Sequence, residues 1–137
     1  MVAEVAALRK SIRLFLLLEG VAFIAACLIH FGVLMHGYEH RLAGMAERAI
    51  GIVLLAGFLL TWIVPAWTRG IGIAVQAFAL LGTGVGIYTI AIGIGPRTRP
   101  DITFHVAIVI ALIAGLIVTV RARRPVRANA QYQSPQS

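Results

Sequence analysis

The sequence predicts an all-α integral membrane bundle of four transmembrane helices. Of its 137 residues, 60% are hydrophobic and only 12% are charged, and the mean hydropathy is +0.93. A soluble domain of this length has too little interior to hide so much apolar surface, so we expect lipid to be the solvent. Four long apolar segments, separated by charged or turn-forming residues, supply the spans. The length leaves room for a single domain.

The first predicted transmembrane helix runs from about residue 14 to residue 34, after a short basic head. A helix needs roughly 20 apolar residues to cross a bilayer, and this segment provides them. The basic head followed by the tetrapeptide ending at Cys27 is also typical of a lipoprotein signal. Because Glu19 interrupts the apolar run, and apolar sequence continues past Cys27, we favour the transmembrane interpretation.

Three further helices are predicted at about 49–67, 71–93 and 102–120. Trp62, Pro65 and Trp67 would end the second helix with an aromatic anchor and a helix breaker. Asp101 is expected to be the N-cap of the fourth helix. Residues 121–137, basic and then polar, cannot bury a core and are predicted to form a disordered cytoplasmic tail.

The connector between the first two helices is predicted to be a short helix on the outer surface or an extension of helix 2. Its apolar residues recur at spacings of three and four, as on one face of a helix. They are Met35, Tyr38, Leu42, Met45 and Ala49.

The distribution of basic residues predicts that both termini are cytoplasmic. One side of the four-span arrangement carries eight basic residues: Arg9, Lys10, Arg13, Arg69, Arg121, Arg123, Arg124 and Arg127. The other side carries four: Arg41, Arg48, Arg97 and Arg99. Cytoplasmic loops are enriched in lysine and arginine, so the termini are placed inside. The strong preference for arginine over lysine indicates a bacterial protein, which we therefore expect in the bacterial cytoplasmic membrane.

The four histidines, together with Glu47 and Asp101, lie at the predicted outer mouth of the bundle. Imidazole and carboxylate groups are ligands for divalent transition metals, and two histidines at equal depth can also hold haem. The candidate metal ligands are His30, His36, His40, Glu47 and His105. His36, His40 and Glu47 fall on one stripe if the connector and helix 2 are one helix, and His30 with His105 are the candidate haem pair.

Residues His36 to His40 also match HxxEH, the inverted zinc-protease pattern, in which two histidines hold zinc and the glutamate is the base. The soluble domain that surrounds this motif in proteases is missing. We therefore predict no catalytic residues and favour a binding protein over an enzyme. A membrane metalloenzyme is kept as a further alternative.

A second set of polar residues is predicted to lie inside the bundle as a buried ladder: Glu19, Thr61, Gln76 and Tyr88. Ionisable groups at membrane depth are costly unless they face the bundle interior and find partners. Together with His30, this ladder is the basis of an alternative function, a small transporter or proton-conducting protein.

The predicted partners are the lipid bilayer and, through it, other membrane proteins. The sequence favours a non-catalytic binding or accessory subunit of a membrane complex, which holds a metal or haem in its outer mouth. Gly82 and Gly86 form a small-residue face that suits either packing within the bundle or a homo-oligomer. Nucleic acid is not expected, because the arginines flank apolar runs rather than forming a separate basic surface.

Overall fold

The computed structural model describes residues 2–122, and this part of the chain is all-helical, with no β-strand. Its helices are α1 (Val2–His30), α2 (Arg41–Ile63), α3 (Thr68–Ala91) and α4 (Arg99–Arg121), with a single 3-10 turn at Pro65–Trp67. Each α-helix is long and apolar enough to cross a membrane. This confirms the prediction of four helices that are long and apolar enough to span a membrane.

The helices form an up-and-down bundle in which each contacts the next, and α4 returns to contact α1. Residues 31–40 and 92–98 connect helices at one end, which we call the loop end. The 3-10 turn lies at the opposite end, together with the start of α1 and the last turn of α4, and we call this the terminal end. His30 is therefore at the loop end, and Arg13 is near the terminal end.

The bundle is apolar both inside and outside. Leu16, Leu54 and Leu112 are fully buried in the centre of the core. On the outer surface, Leu81 is 74% exposed, and large aliphatic side chains cover much of every helix. Soluble bundles place charged residues on the outer face, so this surface is the opposite of theirs.

Glycine ends both helices that run towards the loop end. Gly32 and Gly93 have φ angles of +70° and +87°, which an L side chain rarely adopts. In each case the glycine and the residue after it donate backbone hydrogen bonds into the last turn of the helix, at 2.8–3.2 Å. This is the Schellman motif. It explains why α1 ends at His30 and α3 at Ala91, before the predicted ends at residues 34 and 93.

Two side-chain caps start the helices that leave the loop end. The backbone N–H of Ala43 donates to His40 Nδ1 at 3.2 Å, so His40 is the N-cap of α2. Thr98 is the N-cap of α4, and Asp101 three residues later completes a capping box. The prediction that Asp101 is itself the N-cap was wrong, because Thr98-x-x-Asp101 satisfies two backbone donors where a lone Asp101 would satisfy one.

The bounds of the helices also differ from the predicted ones elsewhere. α1 begins at Val2 rather than residue 14, since no glycine or proline interrupts the basic head. Residues 31–40 are not helical, so only the second half of the predicted connector is helix, as the first two turns of α2. α2 ends at Ile63 rather than residue 67 because Pro65 stops it. The predicted tail falls, from residue 123 onwards, outside the described residues.

The small-residue face of α3 is used within the bundle. A Cβ atom on Gly82 would lie 2.8 Å from Ile50 Cδ1 of α2, and one on Gly86 would lie 3.2 Å from His105 Nε2 of α4. Because their neighbours lie so close, both glycines favour the interpretation that this face packs against other helices of the same chain.

Candidate functional site

Three ionisable side chains from three helices meet at the loop end. His30, the last residue of α1, places Nδ1 2.7 Å from Glu47 Oε2 on α2 and Nε2 3.0 Å from Asp101 Oδ1 on α4. The three residues are 4%, 5% and 7% exposed. We call this group the His30 cluster. It joins α1, α2 and α4 through two hydrogen bonds that are shielded from solvent.

The connector after α1 positions His30 and Glu47 together. The backbone N–H of His40 donates to the carbonyl of His30 at 2.9 Å, which brings the start of α2 back beside the end of α1. The side chain of His40 caps α2 at the same point and donates Nε2–H to the carbonyl of Ile94 at 3.2 Å. Glu47 then lies two turns into α2, on the face turned towards α1.

The start of α4 supplies the second carboxylate. Asp101 Oδ2 accepts the backbone N–H of Thr98 at 3.1 Å and also contacts the Thr98 hydroxyl. The other carboxylate oxygen of Asp101, Oδ1, forms the hydrogen bond with His30. The capping box that starts α4 therefore also fixes the orientation of the carboxylate that His30 needs.

The two contacts of His30 set the number of protons in the cluster. A hydrogen bond between a ring nitrogen and a carboxylate oxygen requires one proton, and neutral histidine carries only one. Both bonds together therefore require one further proton, either on the ring or on a carboxyl group. In that state the cluster carries a net charge of −1. Loss of this proton leaves a nitrogen lone pair facing a carboxylate, which breaks one bond in a buried place.

Other titratable side chains near the cluster are His40, His105, Tyr38 and Cys27. The ring of His40 is 6.5 Å from that of His30, between centroids, and His105 donates Nδ1–H to the carbonyl of Asp101 at 2.8 Å. From α3, the buried neutral Thr83 lies at this end of the bundle. Within residues 2–122, no lysine or arginine forms an ion pair with Glu47 or Asp101. Among the described residues, His30 is the side chain that forms an ion pair with both Glu47 and Asp101.

The predicted metal site is not assembled. In the described part of the chain, no three His, Cys, Asp or Glu side chains are arranged to hold a metal ion. His36 is 91% exposed, in the non-helical connector. The predicted stripe of His36, His40 and Glu47 was wrong because it required a continuous helix through residue 40.

The haem and zinc-protease patterns fail for similar reasons. Both ring nitrogens of His30 are hydrogen-bonded to carboxylates, so His30 has no free nitrogen with which to form an axial pair with His105. In the HxxEH segment, Glu39 accepts the backbone N–H of Gly37 at 2.9 Å and lies 3.5 Å from His36. Backbone hydrogen bonds from Glu39 itself and from Gly37 lower the pKa of Glu39. It is an exposed loop carboxylate rather than a base in a cleft.

A second polar group lies deeper in the bundle. Gln76 Nε2 on α3 lies 3.1 and 3.3 Å from the two carboxyl oxygens of Glu19 on α1, and Thr119 of α4 donates its hydroxyl to Gln76 Oε1 at 3.0 Å. All three are buried. We call this the Glu19 group. Gly115 makes room for it: a Cβ atom there would lie 2.2 Å from Gln76 Nε2 and 2.7 Å from Glu19 Oε1.

Two residues of the predicted ladder lie elsewhere. Thr61 is fully buried but accepts from Arg13, with Nε to Oγ1 at 3.2 Å, near the terminal end. The guanidinium of Arg13 also stacks on Trp62, 3.9 Å from the ring centroid. Tyr88 is 63% exposed on α3, so its place in a buried ladder was wrong. Its phenol lies on the outward face, opposite Gly86 and the bundle interior.

The two polar groups are separated by a packed apolar layer. Phe23, Ile50, Leu54, Ala79 and Ile108 are buried in the core between the levels of Glu19 and His30. Hydrocarbon side chains offer no hydrogen bonds to a proton or an ion. In this conformation the Glu19 group and the His30 cluster are two separate sites.

Comparison with protein-family models, with curated proteins and with solved structures finds no match to this chain.

Replacing Gly115 by alanine should destabilise the fold by about 2 kcal/mol or more, because the new Cβ overlaps the amide of Gln76 and must break its bond to Glu19. The melting temperature of the purified protein in detergent measures this. Gly84→Ala is the matched control, since nothing lies within 4 Å of a Cβ at Gly84. Equal melting temperatures for the two variants would show that Glu19 and Gln76 are not held together in the core.

Proposed function

We propose that this chain is a multi-pass protein of the bacterial cytoplasmic membrane, with the loop end outside and both termini in the cytoplasm. Its four apolar helices and its apolar outer surface support insertion in lipid. The excess of basic residues at the terminal end supports the orientation. Arg13 stacked on Trp62 suits a membrane interface, where aromatic and cationic side chains gather.

We propose further that the protein is a non-catalytic accessory module that binds a proton and responds to the pH on the outer side. The observation that carries this proposal is that both ring nitrogens of His30 contact carboxylates from two other helices. The proton that completes both bonds holds α1, α2 and α4 together at the loop end. Its loss weakens the attachment of α4, through Asp101, or of α2, through Glu47.

The sign of the pH dependence follows from proton counting. With the helices apart, His30 binds a proton with an ordinary pKa near 6.5, and the carboxyl groups are ionised at neutral pH. The assembled cluster holds one proton more than the separated groups at such pH. Stability must then fall as the pH rises, by up to about 1.4 kcal/mol per pH unit, until the assembled cluster too has released its proton. Below about pH 6.5 this contribution is fully present.

A second candidate is a small transporter or proton-conducting protein. Glu19 favours it, because this buried carboxyl is bonded to an amide and, among the described residues, has no basic partner. The apolar layer between Glu19 and His30, and the outward position of Tyr88, weigh against a continuous path. A conformation that opens this layer would be needed for conduction.

Unfolding of the protein in lipid nanodiscs between pH 6 and pH 9 tests the proton-binding proposal. We expect the free energy of unfolding to fall as the pH rises for the parent protein. His30→Gln keeps an amide donor but cannot titrate, so its unfolding free energy should be lower at pH 6 and should fall less steeply with rising pH than that of the parent. His36→Gln is the control, since His36 is exposed and outside the cluster.

The proposal would be contradicted by a pH dependence that is the same in His30→Gln as in the parent. It would also fail if His36→Gln abolished the pH dependence, because the titrating group would then lie in the connector.

Cysteine labelling tests the orientation. His36→Cys, in the exposed connector, should react with an impermeant maleimide on intact cells, whereas Ala6→Cys, exposed near the start of α1, should react only after the cells are opened. The native Cys27 is buried, and the parent protein gives its background. Labelling of Ala6→Cys alone on intact cells would invert the orientation.

A further inference from the structure

Arg13 is held at the terminal end of the bundle by contacts with the last turn of α2. Its Nε donates to Thr61 Oγ1 at 3.2 Å, and its Nη2 donates to the Thr61 carbonyl at 2.7 Å. The guanidinium also lies over the ring of Trp62, with Cζ 3.9 Å from the centroid. Trp62 in turn packs edge-on against Phe58, at 6.3 Å between ring centroids. The position and orientation of the guanidinium are therefore fixed by the protein alone.

One edge of this guanidinium has no partner in the protein. Arginine presents its N–H groups as parallel pairs in one plane, and Thr61 accepts the pair on Nε and Nη2. Within residues 2–122, Nη1 of Arg13 forms no hydrogen bond, and it remains accessible from outside the protein. The edge between Nη1 and Nη2 therefore offers two parallel N–H groups, which match two oxygens of a phosphate or a carboxylate.

The surroundings of this edge are basic. Arg9 lies one helical turn before Arg13, on the same face of α1. Over residues 2–122, Glu4 is the one acidic residue of the terminal end, and no lysine or arginine there forms an ion pair. The other basic residues at this end of the described chain are Lys10, Arg69 and Arg121. The terminal end therefore attracts an anion.

The surface next to Arg13, in the direction of the loop end, is apolar. Leu14 follows Arg13 on α1, and Leu59 lies one turn before Trp62 on α2. Leu14, Leu59 and Trp62 are each more than half exposed. A water-soluble anion bound to Arg13 would leave these side chains uncovered, whereas the acyl chains of a lipid would cover them. The combination of a guanidinium edge and adjoining apolar side chains therefore suits a lipid with an acidic headgroup.

We infer that Arg13, with Arg9, binds the phosphate group of an anionic phospholipid at the terminal end of the bundle. Arg13 donates two parallel hydrogen bonds to the phosphate oxygens, and Arg9 adds a second positive charge one turn further from the loop end. A zwitterionic lipid carries the same phosphate, but its ammonium group would lie among arginine and lysine side chains. An anionic headgroup such as that of phosphatidylglycerol is therefore preferred. The inference rests on the proposed function only in requiring that the chain lies in a membrane.

Quenching of tryptophan fluorescence by brominated lipids tests the inference on the full-length protein in phosphatidylcholine vesicles. Brominated acyl chains quench a tryptophan that they contact, so exchange for brominated phosphatidylglycerol reports the relative affinity of the surface beside Trp62. Trp67→Phe removes the other tryptophan, which is exposed in the 3-10 turn, and is the reference protein for all comparisons. It should bind phosphatidylglycerol about tenfold or more in preference to phosphatidylcholine, as expected for two arginines near a headgroup.

Variants at position 13 separate the fixed guanidinium from its charge. Arg13→Gln removes both and should reduce the preference for phosphatidylglycerol by about fivefold. Arg13→Lys keeps the charge but lacks the parallel N–H pair, so its preference should also fall below that of the reference protein. Arg48→Gln is the matched control, since it removes one exposed arginine from the half of α2 nearest the loop end, and it should leave the preference unchanged.

The inference is overturned if the reference protein shows no preference for phosphatidylglycerol. It is also overturned if Arg13→Lys keeps the full preference, because diffuse charge would then explain the binding. Displacement of phosphatidylglycerol by sodium phosphate, beyond that by sodium chloride at equal ionic strength, would show a site for free phosphate instead. Should Arg13→Gln fail to fold, Arg9→Gln and Arg13→Lys decide the question, since both should reduce the preference.

Flotation of the protein with the vesicles separates this inference from the proposed function. A chain that does not float with the lipid would remove both the proposed membrane location and the lipid site. Flotation without a preference for phosphatidylglycerol would remove the lipid site alone and leave the membrane location standing.

Discussion

The position of His30 between Glu47 and Asp101 is the constraint on which the loop end of the bundle depends. Three ionisable groups are removed from solvent there, and removing one partner from such a group typically costs about 3–5 kcal/mol. The cluster is tolerable only with both hydrogen bonds made, and both require one proton beyond that of neutral histidine. The two hydrogen bonds of His30 thus join α1, α2 and α4. Because both bonds need the additional proton, we expect their strength to depend on pH.

Much of the surrounding sequence serves this arrangement. Gly32 ends α1 directly after His30, the connector returns so that His40 meets the His30 carbonyl, and the capping box turns Asp101 towards the ring. The Glu19 group fastens α1, α3 and α4 in the same way at a deeper level, with Gly115 leaving space for it. In the membrane that we propose for this chain, lipid provides no hydrophobic force between helices, so such polar contacts and close packing would determine which helices associate.

The helices and the polar composition of the site followed from the sequence, but the pairing of its residues did not. Apolar runs of spanning length predict four helices without reference to tertiary contacts, and Glu19 with Gln76 could be expected inside because buried polar groups need partners. Asp101 was assigned to helix capping alone, since one sequence position gives no sign that its second oxygen reaches another helix. The predicted metal-binding stripe required one helix through residue 40. Instead, α1 ends before Gly32 and α2 begins after its N-cap, His40, although the spacing of the residues between them is typical of a helix. Tyr88 faces outward because helix rotation is set by Gly82 and Gly86, which pack inward.

The most direct test of the account is the state of the His30 ring in a bilayer at pH 7. Solid-state NMR of protein labelled with ¹⁵N-histidine and ¹³C-labelled acidic residues reports both the ring protonation and the nearest carboxyl carbons. We expect the His30 ring nitrogens to be hydrogen-bonded at both positions, with Nδ1 close to the Glu47 carboxyl carbon and Nε2 close to that of Asp101. A His30 nitrogen with the resonance of a free lone pair, or the absence of either carboxyl contact, would contradict the account.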